Sequence, residues 1–94
     1  MQKLTATELE NKLKDLPHWK LDNGTLVRDC KFADFISAMT FVNQVAEAAE
    51  KAQHHPDIDI RYNRVRLGLV THDAGGITAK DVEMAHSLDK VAAA

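Results

Sequence analysis

Disulfide chemistry is the first thing this sequence excludes, because its 94 residues hold a single cysteine, Cys30. One thiol can form no internal bridge and cannot by itself supply a thiolate zinc site. Proline and glycine are also scarce, at two and four residues, which leaves no linker, collagen-like repeat or low-complexity tract. No stretch approaches the roughly 20 apolar residues of a membrane helix. The start, Met1-Gln2-Lys3-Leu4, lacks the apolar run of about 7–15 residues that marks a secretory leader. Neither charge sign dominates, with 12 basic and 14 acidic residues giving a net charge of −2. Binding to a nucleic-acid backbone needs a concentrated basic surface, so nucleic acid is not an expected partner, and neither is a membrane. These absences leave one soluble, cytoplasmic domain over residues 1–94, of which folding buries roughly 60–65% of the extended surface. What is present in excess is histidine: five residues, two of them adjacent.

The few prolines and glycines fall where elements end. Thr5 and Glu8 have the spacing of a capping box, and Leu9, Leu13 and Leu16 follow at helical intervals until Pro17 stops the helix. Trp19–Leu21 and Thr25–Phe32 flank Asp22-Asn23-Gly24, a strong hairpin signal because Asn and Gly tolerate positive φ. Asp34 is a good N-cap for a long helix ending near Gln53. That helix carries two adjacent apolar stripes. One is Phe35, Met39, Val42, Ala46 and Ala49; the other is Ala38, Phe41, Val45, Ala48 and Ala52. An apolar face this broad reads either as a deeply buried helix or as one whose alanine-rich second stripe packs on another subunit.

Beyond Pro56, Ile58, Ile60 and Tyr62 alternate with Asp57, Asp59 and Arg61 as a half-buried strand. Asn63-Arg64 reads as the turn, and Val65, Leu67 and Leu69 form the return strand. After Gly75-Gly76, Thr78 and Asp81 begin a last helix carrying Val82, Ala85, Leu88 and Val91. The order α-β-β-α-β-β-α implies an α+β fold, a four-stranded antiparallel sheet with three helices on one face.

The second hairpin organises the histidines. A two-residue Asn63-Arg64 turn sets His72 opposite His55, and a turn centred on Asn63 alone sets it opposite His54. Either register brings His72 to the open end of the hairpin beside the His54-His55 pair. Three gathered imidazoles admit a zinc set, an acid–base site or a polar rim without chemistry. Zinc is disfavoured because adjacent strand residues point to opposite faces. Glu50, one helical turn before His54, is placed to orient an imidazole or accept from a ligand. Thr71, the free amides before the last helix and Lys80 offer donors and charge near His72. His18 and His86 read as surface residues, Trp19 as core, and Cys30 as buried rather than reactive.

The run Glu50, His54-His55-Pro56, Tyr62, His72, Asp81, with the Thr71-His72-Asp73 segment and the Trp19 hairpin, resembles the pterin-4a-carbinolamine dehydratase family over nearly the whole chain. The resemblance implies a hydro-lyase that removes water from a 4a-hydroxy-tetrahydropterin to give the quinonoid dihydropterin, in tetrahydrobiopterin recycling, without metal or organic cofactor. By that resemblance His54 and His72 exchange protons with the substrate and His55 chiefly holds the pterin. Glu50, Gln53, Val70, Thr71, Asp73 and Lys80 complete the binding site. Lysine at 80 and glutamine at 53 depart from the arginine and acidic residue of animal members, which removes a bidentate fork and a charged contact. The family also implies a homodimer or homotetramer formed through sheet edges and the long helix. Animal relatives stabilise the dimer of a homeodomain transcription factor, so the alternative function is a non-catalytic partner-binding protein using that helix.

Overall fold

A computed structural model describes residues 2–93. The elements run α1 (Ala6–Leu13), β1 (Lys20–Asp22), β2 (Thr25–Lys31), α2 (Phe35–Ala52), β3 (Asp57–Arg61), β4 (Arg64–Leu69), a 3-10 turn (His72–Ala74) and α3 (Ala79–Ala93). The strands form one antiparallel sheet in the order β1-β2-β4-β3. This is the expected α+β architecture. Among the described residues, no helix is long and apolar enough to cross a membrane.

Local chemistry explains most of the boundaries. Thr5 and Glu8 close a reciprocal capping box on α1, so two otherwise unpaired amides are satisfied. The helix ends at Leu13 rather than Leu16, because Lys14, Asp15 and Leu16 donate to carbonyls three residues back and tighten into a turn. Leu16 is still fully buried. In the first hairpin Asn23 and Gly24 take φ of 50° and 79°, the conformation a two-residue turn between twisted strands needs. Asp34 caps α2 by accepting from the Ser37 N–H at 2.8 Å.

One core lies between the sheet and the helices. Leu26 of β2 and Val65, Leu67 and Leu69 of β4 meet Leu9, Phe41, Val45, Val82, Met84 and Leu88 from the helices. A side-chain tie fixes α3 on the sheet: Asp89 accepts from the Trp19 indole at 2.7 Å and pairs with Arg28.

Two expectations are corrected. The buried face of α2 runs through Ala38, Phe41 and Val45 of the alanine-rich stripe, so that stripe packs within the domain rather than on another subunit. Of the other stripe Ala49 is buried as well and Val42 packs against the core, while its first residue, Phe35, is 46% exposed and the adjacent Ile36 73%. The turn of the second hairpin is Tyr62-Asn63, not Asn63-Arg64, because Arg61 pairs with Arg64. Asn63 is fastened at that point: its side chain donates to the Phe32 carbonyl, and its own carbonyl accepts from the Phe32 N–H, both at 2.8 Å. Tyr62 therefore sits at φ 53°, a conformation that costs a bulky residue free energy. The register moves by two residues from that turn, so continuing the ladder sets Thr71 across from His54 and Val70 across from His55, and His72 is opposite neither.

Candidate active site

The site is assembled where the C-terminal end of α2, the open end of the β3–β4 hairpin and the start of α3 meet. Gln53 ends α2 in the left-handed region, φ 54° and ψ 38°. The His54 N–H then reaches back to the Ala49 carbonyl at 3.2 Å, the six-to-one bond of a Schellman close. This reversal separates the two adjacent histidines. The His54 side chain turns inward and is 13% exposed, while that of His55 is 60% exposed.

His54 Nε2 lies 2.6 Å from Asp81 Oδ1, and Asp81 is fully buried. The other carboxylate oxygen, Oδ2, accepts the Thr78 N–H and the Thr71 hydroxyl, each at 2.8 Å. The Thr78 hydroxyl lies 2.8 Å from that of Thr71. The i, i+3 spacing read as a helix cap is therefore a real cap, and it also buries an acceptor under the imidazole. With donors already on Oδ2, the remaining oxygen suits a donor as well, which assigns the His54 proton to Nε2 and leaves Nδ1 as the ring's acceptor.

His55 Nε2 lies 2.5 Å from Glu50 Oε2. Glu50 thus orients His55, not the nearer-spaced His54. Gln53 Nε2 donates to the Glu50 carbonyl at 2.7 Å, which stiffens the same corner. His72 opens the 3-10 turn directly after Thr71, is exposed, and makes no side-chain hydrogen bond among the described residues. Val70 is partly buried against the core, and Asp73 is exposed on the 3-10 turn. Lys80 is exposed on the first turn of α3 and, with His54, Glu83 and Ser87, lines a pocket of about 140 Å³.

The sheet and α3 thus bring His54, Thr71 and Asp81 into contact and carry His72 in as the neighbour of Thr71. They do not bring the three imidazoles into one ligand set: among the described residues no three His, Cys, Asp or Glu side chains gather closely enough to hold a metal ion. The arrangement is instead one oriented, largely shielded imidazole with two imidazoles at the solvent edge, which suits proton transfer to and from a bound molecule. Sequence reasoning missed the Asp81–His54 bond and the part played by Thr78. The cap spacing placed Asp81 at the helix start, and the corrected register would have set Thr71 and His54 beside it.

A family model described as Pterin 4 alpha carbinolamine dehydratase matches residues 2–91. The chain belongs to this family. Among its relatives, a candidate pterin-4-alpha-carbinolamine dehydratase of Acidobacterium capsulatum is 57% identical, over 95% of this chain and 97% of that protein. One from Gloeobacter violaceus is 55% identical, over 94% of this chain and all of that protein. A crystal structure described as a transcriptional coactivator/pterin dehydratase from Brucella melitensis superposes with a TM-score of 0.91 at 36% identity, covering 97% of this chain and 99% of that one. A pterin dehydratase-like RuBisCO assembly factor of the alpha-carboxysome shares the fold, with a TM-score of 0.64 at 19% identity over 79% of this chain and 86% of that one. The carbinolamine dehydratase family thus supplies a reaction against which the corner around His54 can be read.

Proposed function

We propose that this protein is a 4a-hydroxytetrahydrobiopterin dehydratase that acts as a single domain over residues 1–94, as a homo-oligomer in the cytoplasm, in tetrahydrobiopterin recycling. The observation that carries the reading is the buried Asp81 carboxylate bonded to His54 Nε2. It holds the ring by Nε2 and leaves Nδ1 to act as the proton acceptor.

Loss of water from a 4a-carbinolamine requires one proton to leave N5 and one to reach the departing 4a-hydroxyl. In our reading His54 accepts the N5 proton, and the imidazolium that forms is stabilised by Asp81 across the 2.6 Å contact. His72, exposed beside Thr71, donates to the hydroxyl, which departs as water. The C4a–O bond breaks, the N5 lone pair forms the C=N bond, and no electron is gained or lost, so the reaction calls for no redox partner. His55, held by Glu50, faces the pterin ring, with Gln53, Val70, Thr71, Asp73 and Lys80 around it.

Stopped-flow absorbance with chemically generated 4a-hydroxy-tetrahydropterin tests the assignment. His54→Ala and His72→Ala should each slow dehydration by about 10²–10⁴-fold, the range for one acid or base. Unchanged rates in both variants would remove the histidines from the mechanism.

A second reading rests on the exposed apolar start of α2, where Phe35 and Ile36 face solvent. It makes the chain a partner-binding protein. Light scattering separates the two: a stable tetramer covers that patch with copies of the chain, whereas a weak dimer leaves it free for another protein.

A further inference from the structure

The sheet face turned away from the helices carries an uneven charge pattern. Lys31 of β2, Arg64 of β4 and Arg61 of β3 are direct register partners and form a row across three strands. The next row is Asp29, Arg66 and Asp59, where the signs alternate. There Arg66 donates to Asp29 at 2.8 and 3.2 Å and to Asp22 at 3.0 Å. In the cationic row Arg61 reaches Asp59 at 3.3 Å, and among the described residues Lys31 and Arg64 have no carboxylate partner within ion-pair distance. Like charges placed directly opposite on neighbouring strands are destabilising. The adjoining row shows that this face accommodates alternation.

We propose that Lys31, Arg64 and Arg61 form a binding site for a phosphate dianion. Strands lie about 4.8 Å apart, so the outer cations start roughly 10 Å apart, and their long side chains can close on one tetrahedral oxyanion. The row borders a groove of about 550 Å³ also lined by Asp29, Asp59 and Arg66, room for a small phosphorylated molecule. Asp29 and Asp59 are already engaged by arginines, so they do not cancel the free cations. An extended polyanion does not fit, because it would run on over Asp22, Asp29, Asp57 and Asp59 of the same face. The site lies at the turn end of the β3–β4 hairpin, about 20 Å along β4 from the histidine corner, and does not rest on the proposed reaction. The small net charge conceals it, because the surplus of acidic residues lies elsewhere.

The test is an amide-resolved NMR titration of the full chain with inorganic phosphate and with phenyl phosphate, at ionic strength held constant with sodium chloride, alongside thermal melts. Saturable shifts at residues 31, 61 and 64, absent from the double variant Lys31→Gln/Arg64→Gln, are the expected result. That variant should melt above wild type without phosphate and gain nothing from its addition, whereas Arg64→Lys keeps binding. A larger response to phenyl phosphate assigns the site to phosphomonoesters, and an equal response assigns it to the free ion. Non-saturating shifts matched by chloride, or saturable binding retained by the double variant, would overturn the proposal.

Discussion

Replacing Asp81 by asparagine changes one atom in the most enclosed part of the site, and its consequence can be worked through bond by bond. Asp81 Oδ2 accepts from the Thr78 N–H and the Thr71 hydroxyl, so an asparagine keeps its carbonyl there. Its NH₂ group must then face His54 Nε2, which becomes an acceptor, and the ring proton moves to Nδ1. The imidazole stays in place but presents a proton where the substrate needs a lone pair. Loss of one correctly set base costs about 10²–10⁴-fold in rate. The fold should suffer little, losing about 1–2 kcal/mol for one charge-assisted hydrogen bond. Asp81→Ala differs: it leaves the Thr78 N–H and the His54 N–H buried without acceptors, at about 1–3 kcal/mol each. For a domain of this size each 1 kcal/mol lowers Tm by about 4–8 °C. The assay is single-turnover dehydration at several pH values beside a thermal melt of each variant. A rate for Asp81→Asn within about threefold of wild type, with the fold intact, would refute the claim that Asp81 sets the His54 tautomer.

Three further outcomes follow from the same geometry. Hydrogen bonds from Arg66 hold the Asp29 carboxyl below its usual range, so this pair contributes stability above the unfolded carboxylate pKa and loses it as pH falls through the lower folded value. Melts between pH 5 and pH 2 should therefore show a shallower acid loss for Asp29→Asn than for wild type, and equal slopes would contradict it. Tyr62→Gly removes an exposed ring from a φ of 53° and should raise stability by about 1 kcal/mol, read as a higher urea midpoint at unchanged slope. Leu67→Ala, at a fully buried position in the middle of β4, should cost about 2–5 kcal/mol in the same measurement.

The fold was legible because its signals are local. The Thr5–Glu8 box, the Asn23-Gly24 turn, the Asp34 cap and the period-two strands each fix one element, and together they leave a single order. The register of the second hairpin was not legible from its apolar pattern. Ile58 and Ile60 share a face with Val65 and Leu67 in the observed pairing, and a slip of two residues keeps every side chain on its own face. What decides is the hold on Asn63 by Phe32, a contact across 31 residues, together with a tyrosine that accepts a left-handed conformation. Likewise the two stripes of α2 have similar hydropathy. The buried face draws Ala38, Phe41 and Val45 from one and Ala49 from the other, a division set by packing against the rest of the fold. At the site, the residue types and the meeting of His54 with the His72 segment were readable from spacing. The tie through Asp81 was not, because it joins a helix cap to a side chain 27 residues away.

Stopped-flow dehydration of 4a-hydroxy-tetrahydropterin by the unmodified chain, at substoichiometric concentration, decides whether this protein is the enzyme proposed. The rate should rise in proportion to protein and far exceed the spontaneous reaction, with many turnovers per chain and no added metal or cofactor. A rate equal to that of buffer alone, from folded protein, would contradict that assignment.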